Sequence, residues 1–513
     1  MKQLQGQHAL VLGLGQSGLA MARWCARCGA QVTVADTREA PPQLAALREQ
    51  VPAARFVSGA FTPALLDGGV QAVFRSPGLK PEEIAPLWQA AREAGLWCAS
   101  ELGLFDRALA DLRADSGYAP QLLAITGTNG KTTVTALTGL LVQEAGKRVA
   151  VAGNIGPTLL DTLAERLDAA ARTDEPQPLP EVWVVELSSF QLHGIEGFEP
   201  TAATVLNLSQ DHLDWHGSMG AYGDAKARIF GSQGTMVLNR DDAQVMAMLP
   251  VPVKVKGGKL EQRAHLTFGA TLPRRPGDFG IETVHGMAWL VRAMEADETI
   301  KRRRGDTEEE EIHIQRLMPA EALRIRGRHN ATNALAALAL ATSAGCTLAP
   351  MLYALREYRG EPHRVEPVGI VSEVEYFDDS KGTNVGATVA ALQGLGAERR
   401  VVVILGGDGK GQDFAPLAEP VARFARGVVL IGRDAPLIRT AIEGAGVPLH
   451  DAADMHDAVR RCAEVARPGD AVLMSPACAS FDMFDNYPHR ARVFRAAVAE
   501  LADAAGVMLE QGA

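Results

Sequence analysis

Cysteine is scarce in this chain: six in 513 residues, at Cys25, Cys28, Cys98, Cys346, Cys462 and Cys478. So few, so scattered, exclude a disulfide scaffold and suit a reducing cytoplasm. Cys25 and Cys28 form a C-x-x-C, but inside a helical pattern and with no second pair at zinc spacing, so they read as packed thiols on one helix. No apolar stretch reaches membrane-spanning length uninterrupted, and the first fifteen residues run into a strand pattern without signal-peptide architecture. A cytoplasmic protein with no membrane partner is expected. A positive field is also missing. The formal net charge is −10, and the one basic run, 301–304, is followed at once by acids at 308–311, which argues against nucleic acid as a partner. Repeats of solenoid length are absent. What remains is an ordinary globular composition, 47% hydrophobic and 22% charged, in a chain long enough for about three domains.

The most informative stretch is ITGTNGKTT at 125–133. An apolar run ends in a glycine-rich turn followed by a lysine and two threonines. Gly127 and Gly130 let the backbone turn its N–H groups toward phosphate oxygens; Lys131 supplies a charge for the β- and γ-phosphates; the Thr132 hydroxyl can reach Mg²⁺. Residues 122–125 read as a buried strand and 134–142 as a helix, whose N-terminus favours the anion further. The loop is shorter than the general form of the motif, so the signal rests on Gly-Lys-Thr in a strand–turn–helix setting. It implies a bound nucleoside triphosphate.

Apolar runs alternate with amphipathic stretches along the whole chain, the mark of parallel sheets with crossover helices. Strands are expected at 8–14, 31–35, 72–74, 182–186, 203–208, 374–377, 400–405, 427–431 and 471–475, with helices at 17–28, 222–230 and 330–344. The expected units are 1–100, Rossmann-like; 101–360, a central P-loop ATPase domain; and 361–513, Rossmann-like again. Two central stretches read as surface additions: 171–180, rich in proline and acid, and 295–312, charged and poor in aromatics.

Further motifs close the expected strands. GLGQSG at 13–18, with Asp36 after the next strand, has the spacing of a dinucleotide fingerprint, and its glycines suit NAD or another diphosphate-bearing nucleotide. Glu186 ends a strand where a carboxylate can hold Mg²⁺ directly or through water. The His/Asp-rich NLSQDHLDWH at 207–216 suits a magnesium-nucleotide site or zinc; Lys226, alone on a helix, reads by default as solvated. DDSKGTN at 378–384, GGDGK at 406–410 and SPACASFDMF at 475–484 share one sheet edge and could receive a carboxylate-bearing substrate.

Taken together these segments resemble the Mur ligase family, in its D-glutamate-adding branch. The resemblance covers nearly the whole chain in order: GLGQSG, DTR, SPG, GTNGKTT, GNIG, ELSSFQL, NLSQDHLD, GRHNATNALAA, PHR, DDSKGTN, GGDGKG and SPACASFDMF. The DNPR sequence of the diaminopimelate-adding branch is absent, and the nucleotide-like unit before the phosphate loop disfavours a folylpolyglutamate synthetase. The resemblance implies three substrates, ATP, UDP-N-acetylmuramoyl-L-alanine and D-glutamate, two Mg²⁺ sites and a monomer. It turns the N-terminal fingerprint from NAD to a UDP-sugar, with contacts from Gly15, Gln16, Ser17, Asp36, Thr37, Arg38, Ser76, Gly78, Asn154 and Ser188. ATP falls to Gly127, Thr128, Asn129, Gly130, Lys131, Thr132 and Thr133, with Asn330, Asn333, Arg364 and Asp379 at its base and ribose. Thr132, Glu186, His212 and Lys226 are implied metal ligands, the lysine as a carbamate. Catalysis is implied for Lys131, Glu186, His212 and Lys226. D-Glutamate is expected at Lys381, Thr383, Lys410, Ser480, Phe481 and Tyr487, this last a tyrosine where the family often has phenylalanine. An oxidoreductase on the fingerprint leaves Lys131 and the GGDGKG loop unexplained; a nucleotide switch without bond-forming chemistry would hydrolyse ATP or GTP slowly and show no dependence on an amino acid.

Overall fold

A computed structural model describes residues 2–254, 260–296, 312–325, 327–397 and 399–507. The N-terminal strands β1 (His8–Leu12), β2 (Gln31–Asp36), β3 (Arg55–Ser58), β4 (Ala72–Arg75) and β5 (Trp97–Ser100) form one parallel sheet in the order β3-β2-β1-β4-β5. The chain steps from β1 out to β2 and β3 on one side, then crosses back to β4 and β5 on the other side of β1. A crevice therefore opens at the C-terminal ends of these strands, where the fingerprint lies.

The central unit contributes β6 (Gln121–Thr126), β7 (Val149–Gly153), β8 (Val182–Glu186), β9 (Ala202–Val205) and β10 (Thr235–Asn239). A short antiparallel pair, β11 (Val253–Lys254) and β12 (Leu260–Glu261), precedes β13 (His265–Phe268). Six of these form a second parallel sheet, β13-β10-β9-β6-β8-β7. Its middle strands read as continuous apolar runs because helices cover both faces. A three-stranded antiparallel sheet, β14 (Phe279–Val284), β15 (Met287–Glu295) and β16 (Ile312–Pro319), adds to the expected ATPase unit.

The third unit is β17 (Glu366–Val371), β18 (Val374–Asp378), β19 (Val401–Gly406), β20 (Ala425–Ile431), β21 (Leu449–Asp451) and β22 (Ala471–Met474), in the order β17-β18-β22-β19-β20-β21. Only β17, at the edge, runs antiparallel to its neighbour. The three-unit α/β class expected from the sequence is the class observed.

Burial separates the units unequally. One apolar cluster runs from Val11, Trp24 and Phe74 through Phe105, on the helix Glu101–Ser116, to Trp183, Val205 and Leu238. The N-terminal and central units thus share a core across residue 100, with Phe105 and Trp183 in edge contact at 5.0 Å. The C-terminal unit has two clusters of its own.

Some local expectations shift. The strand expected over 203–208 stops at Val205, because the Asn207 side chain turns to bond the phosphate loop. The helix carrying Lys226 spans Met219–Ala227 and passes into a 3₁₀ turn, Arg228–Phe230. Cys25 lies in the helix Gln16–Arg27 and Cys28 caps it; both are free thiols. The 171–180 addition is largely exposed and carries neither helix nor strand, its end held where the Tyr118 hydroxyl donates to the Pro180 carbonyl at 2.7 Å. The other addition joins β15 to β16, and its basic and acidic runs lie outside the described residues. No helix among the described residues is long and apolar enough to cross a membrane.

Candidate active site

The phosphate loop leaves β6 at Thr126 and opens the helix Lys131–Glu144. Its glycines are required by geometry. Gly130 has φ +82°, and a Cβ there would lie 2.7 Å from Asn333 Oδ1; at Gly127, φ +154°, it would lie 2.9 Å from the Leu206 Cβ. The loop after β9 fixes the turn from outside. Thr128 N–H donates to the Asn207 carbonyl at 3.0 Å and Asn129 N–H to Asn207 Oδ1 at 2.8 Å. Lys131 donates from Nζ to the Gly127 and Thr128 carbonyls, both at 2.8 Å. Burial pulls its pKa down, against the opposing charge of Glu186.

In front of the loop is a cleft of about 250 Å³, walled by two units. Thr128–Lys131, Asn154, Glu186 and His212 line it from the central unit; Arg364, Lys381, Thr383, Asn384 and Lys410 line it from the C-terminal one. The buried Glu186 carboxylate accepts from Asn154 Nδ2 at 3.0 Å. His212 stands at the start of a short helix in a left-handed conformation, edge-on to Phe190; burial, Lys131 and Lys226 lower its pKa against Asp211. Thr132 Oγ accepts from Arg364 Nη2 at 2.7 Å, and Thr133 is buried behind it.

Lys226 is not solvated. It is 1% exposed beneath the phosphate loop, donates to the Gly127 carbonyl at 2.9 Å and lies 4.7 Å from the centre of the Tyr222 ring. Burial, then Lys131, moves its pKa well below that of an ordinary lysine. The default reading of this residue is overturned by the fold, which seats the helix Met219–Ala227 directly behind the loop.

A second cavity, about 710 Å³, lies beside the loop between the central and C-terminal units, and Asn333 lines it. Asn330 is buried and accepts from Asn333 Nδ2 at 3.1 Å, which makes it a support for Asn333 rather than a wall. Asp379 is buried with its carboxylate held by Ser475 Oγ at 2.6 Å; burial pushes its pKa up to about 7.

At the amino-acid end, Lys381 lies 5.7 Å from the centre of the Tyr487 ring, and Lys410, in a left-handed conformation, 5.9 Å from that of Phe481. Burial and Arg364 bring Lys381 down to about 8. Ser480 is buried, whereas Phe481 is 68% exposed at the rim.

The fingerprint loop is separate from this cleft. Gly15 caps the helix Gln16–Arg27, a Cβ at Gly15 or Gly78 would meet only open space, and Gly18 packs against the Gly13 carbonyl. The Ser76 hydroxyl donates to Gly13 O at 2.8 Å. Asp36 accepts from Leu14 N–H at 2.7 Å and from the Arg38 guanidinium at 2.8 Å; burial opposes these bonds, yet they hold its pKa at about 2. Thr37 is exposed beside them. Ser188 is used locally, in a capping box with Gln191.

Sequence reasoning missed two residues here. Glu101, buried, accepts from Leu159 and Leu160 N–H at 2.9 and 3.4 Å and from the Ser17 side chain, tying the fingerprint helix to the central unit. Asn384 bridges the units, donating to Asn129 Oδ1 at 3.2 Å and to Asp211 Oδ2 at 3.4 Å. Asn384 stood inside a quoted motif; nothing in the sequence singled out Glu101.

Three family models match in order: Mur ligase MurD-like N-terminal domain over 7–99, Mur ligase middle domain over 125–341, and Mur ligase glutamate ligase domain over 363–478. The chain is 68% identical to the UDP-N-acetylmuramoylalanine--D-glutamate ligase of Albidiferax ferrireducens, over all of both chains. The chain belongs to the Mur ligase family. Relatives of the same name in Polaromonas and Burkholderia cenocepacia are 59% and 58% identical, covering 99% and 97% of this chain and 100% and 98% of theirs. The fold of this Mur ligase is shared with two solved Thermotoga maritima structures, both covering 97% of the chain. They are UDP-N-acetylmuramate-alanine ligase MurC (TM-score 0.53, 20% identity, 99% of that chain) and a MurF ligase in complex with ADP (0.54, 15%, 96%).

Proposed function

We propose that this Mur ligase joins the terminal carboxylate of UDP-N-acetylmuramoyl-L-alanine to the amine of D-glutamate with hydrolysis of ATP to ADP and phosphate, as a cytoplasmic monomer. The observation that carries the reading is one cleft lined both by the Lys131 loop and by Lys381 and Lys410. The names of relatives 56–68% identical over nearly the full chain support the choice of substrates.

The residues divide the reaction between them. The loop N–H groups and Lys131 hold the β- and γ-phosphates. Asn333, supported from behind by Asn330, faces the base; Arg364 and Asp379 take the ribose. A carboxylate oxygen of the UDP-linked substrate, brought in by Gly15–Ser17, Asp36–Arg38, Ser76, Gly78, Asn154 and Ser188, attacks the γ-phosphorus, and ADP leaves. The deprotonated amine of D-glutamate, its carboxylates held by Lys381, Thr383, Lys410, Ser480, Phe481 and Tyr487, then adds to the acyl phosphate carbonyl. The tetrahedral adduct expels phosphate and leaves the amide. Protein groups position reactants and neutralise charge; no side chain is a nucleophile.

Magnesium fits these donors. Thr132 Oγ, the Glu186 carboxylate and His212 are hard or borderline ligands around the phosphate position. Lys226 fits only once modified: an ammonium repels a cation, whereas the amine, its pKa lowered by burial, can add CO₂ with loss of a proton to give a carbamate with oxygen donors. When bound, the metal screens the charge on the transferring phosphoryl group. The His363, Glu366 and Asp378 cluster is no rival site, because Arg495 pairs with both of its carboxylates.

Phosphate release with ATP and UDP-N-acetylmuramoyl-L-alanine tests the reading. Turnover is expected with D-glutamate and not with L-glutamate, L-lysine or no amino acid; equal release without D-glutamate overturns it.

A further inference from the structure

The N-terminal and central units enclose another cavity, about 980 Å³. None of its lining residues lines the phosphate cleft, and none is among the expected UDP-sugar contacts. The helix Pro81–Glu93 supplies Ile84 and Trp88, β5 supplies Trp97, and the central unit closes it with residues 193–196 and Arg228. Ligand cavities favour such domain junctions.

Its polar feature is Arg75, at the end of β4 and only 6% exposed. The guanidinium donates to the His193 carbonyl and lies 5.6 Å from the centre of the Trp88 ring, but among the described residues no carboxylate pairs with it. A buried cation without a counter-charge is costly and calls for an anion. The other charges of the cavity do not supply one. Glu196 is paired with Arg92 at 3.7 Å, Glu93 accepts from Gln89 Nε2 at 2.8 Å, and Asp106 is raised to about 6 by burial and by Glu199. Ile84, Trp88 and Trp97 give the cavity an apolar, partly aromatic wall within an otherwise mixed lining.

We propose that this cavity is a second ligand site, for a small aromatic carboxylate whose anionic group pairs with Arg75 and whose ring is enclosed by Ile84, Trp88 and Trp97. Arg75 immediately precedes Ser76, which holds the fingerprint loop, and the opposite wall follows the helix Ser189–Leu192. An occupant therefore touches both substrate-carrying units without entering the reaction.

Calorimetric titration of the full chain with 2-naphthoate and with its neutral counterpart 2-naphthylmethanol tests this. Naphthoate is expected to bind with Kd below about 1 mM and at least about tenfold more tightly than the alcohol. Arg75→Gln removes that preference. Ile84→Trp, which sets a larger ring where the ligand's ring would lie and leaves Arg75 in place, abolishes binding of both probes. Binding persists with saturating UMP and a non-hydrolysable ATP analogue. No binding, equal affinities, displacement by either nucleotide, or naphthoate binding undiminished in Ile84→Trp each overturns the proposal. The Ile84→Trp arm decides alone should Arg75→Gln fail to fold.

Discussion

Two lysines of the active site are shifted in the same direction and put to opposite use. Lys381, lowered to about 8 by burial and by Arg364, serves as a cation. It is protonated and able to grip a carboxylate below that pH, and the grip is lost as pH rises through it. The KM for D-glutamate should therefore climb above pH 8, approaching tenfold per unit, while Lys381→Arg, whose guanidinium does not titrate there, stays level. KM measured at pH 7 and 9 for both proteins checks this; a wild-type KM that stays level removes Lys381 from the carboxylate. Lys226 is proposed to act through its carbamate. Burial beneath the Gly127 carbonyl lowers its pKa, the direction that favours the amine form CO₂ needs. Lys226→Ala should lower kcat at least about a hundredfold, with part of the activity restored by formate or acetate, which return carboxylate oxygens to the site. Full activity without added acid would place the metal elsewhere.

At the scale of elements, two helix N-termini carry the phosphate chemistry, and their glycines differ in a measurable way. Gly130 is held at φ +82°, and an alanine methyl there would stand 2.7 Å from Asn333 Oδ1, so Gly130→Ala should destabilise the fold by about 1–3 kcal/mol and raise the KM for ATP. Gly15 has φ −94° and open space beyond it. Gly15→Ala should leave denaturant stability within about 0.5 kcal/mol but raise the KM for the UDP-sugar, whose diphosphate needs that space. A loss of stability at Gly15 with KM unchanged would make it a packing glycine. This contrast also marks what the sequence could say. Gly127, Gly130 and Lys131 are legible because a buried parallel strand and a phosphate loop both compress into contiguous residues. The β14–β16 sheet is not: its strands are joined through a charged segment and alternate poorly, with burial of Ala293 and Met318 decided by what packs behind them. Lys226 escapes for the same reason, since one lysine on a polar-looking helix has no sequence signature for the loop that covers it.

In the whole molecule the two junctions are built differently, and the difference says which unit moves. The first is cemented by a shared core and by Glu101, with Arg23–Asp161 at 2.5 Å and Arg27–Asp168 at 2.6 Å at its edge. At the phosphate-loop side of the second, hydrogen bonds cross between Arg364 and Thr132 and from Asn384 to Asn129 and Asp211. Such partners are 173 to 255 positions apart in the chain, beyond the reach of any local pattern. Polar contacts exchange readily with water and with ligand, so opening and closing over the cleft is expected of the C-terminal unit. Asn384 isolates this role, because its Oδ1 also caps the helix Val385–Gly396 by accepting from Ala387 N–H at 2.9 Å. Asn384→Ser keeps a capping oxygen but is too short to reach the central unit; Asn384→Asp keeps the cap and sets a second carboxylate against Asp211. Both should retain thermal stability near that of the parent, a capping loss being worth about 0.5–2 kcal/mol at most. Both should nevertheless lose kcat, about tenfold for serine and more for aspartate, where closure brings like charges together. Tm and kcat measured side by side separate the two functions of this residue. Unchanged turnover in Asn384→Asp would mean that the units come together without this bridge, and that closure is driven by the nucleotide alone.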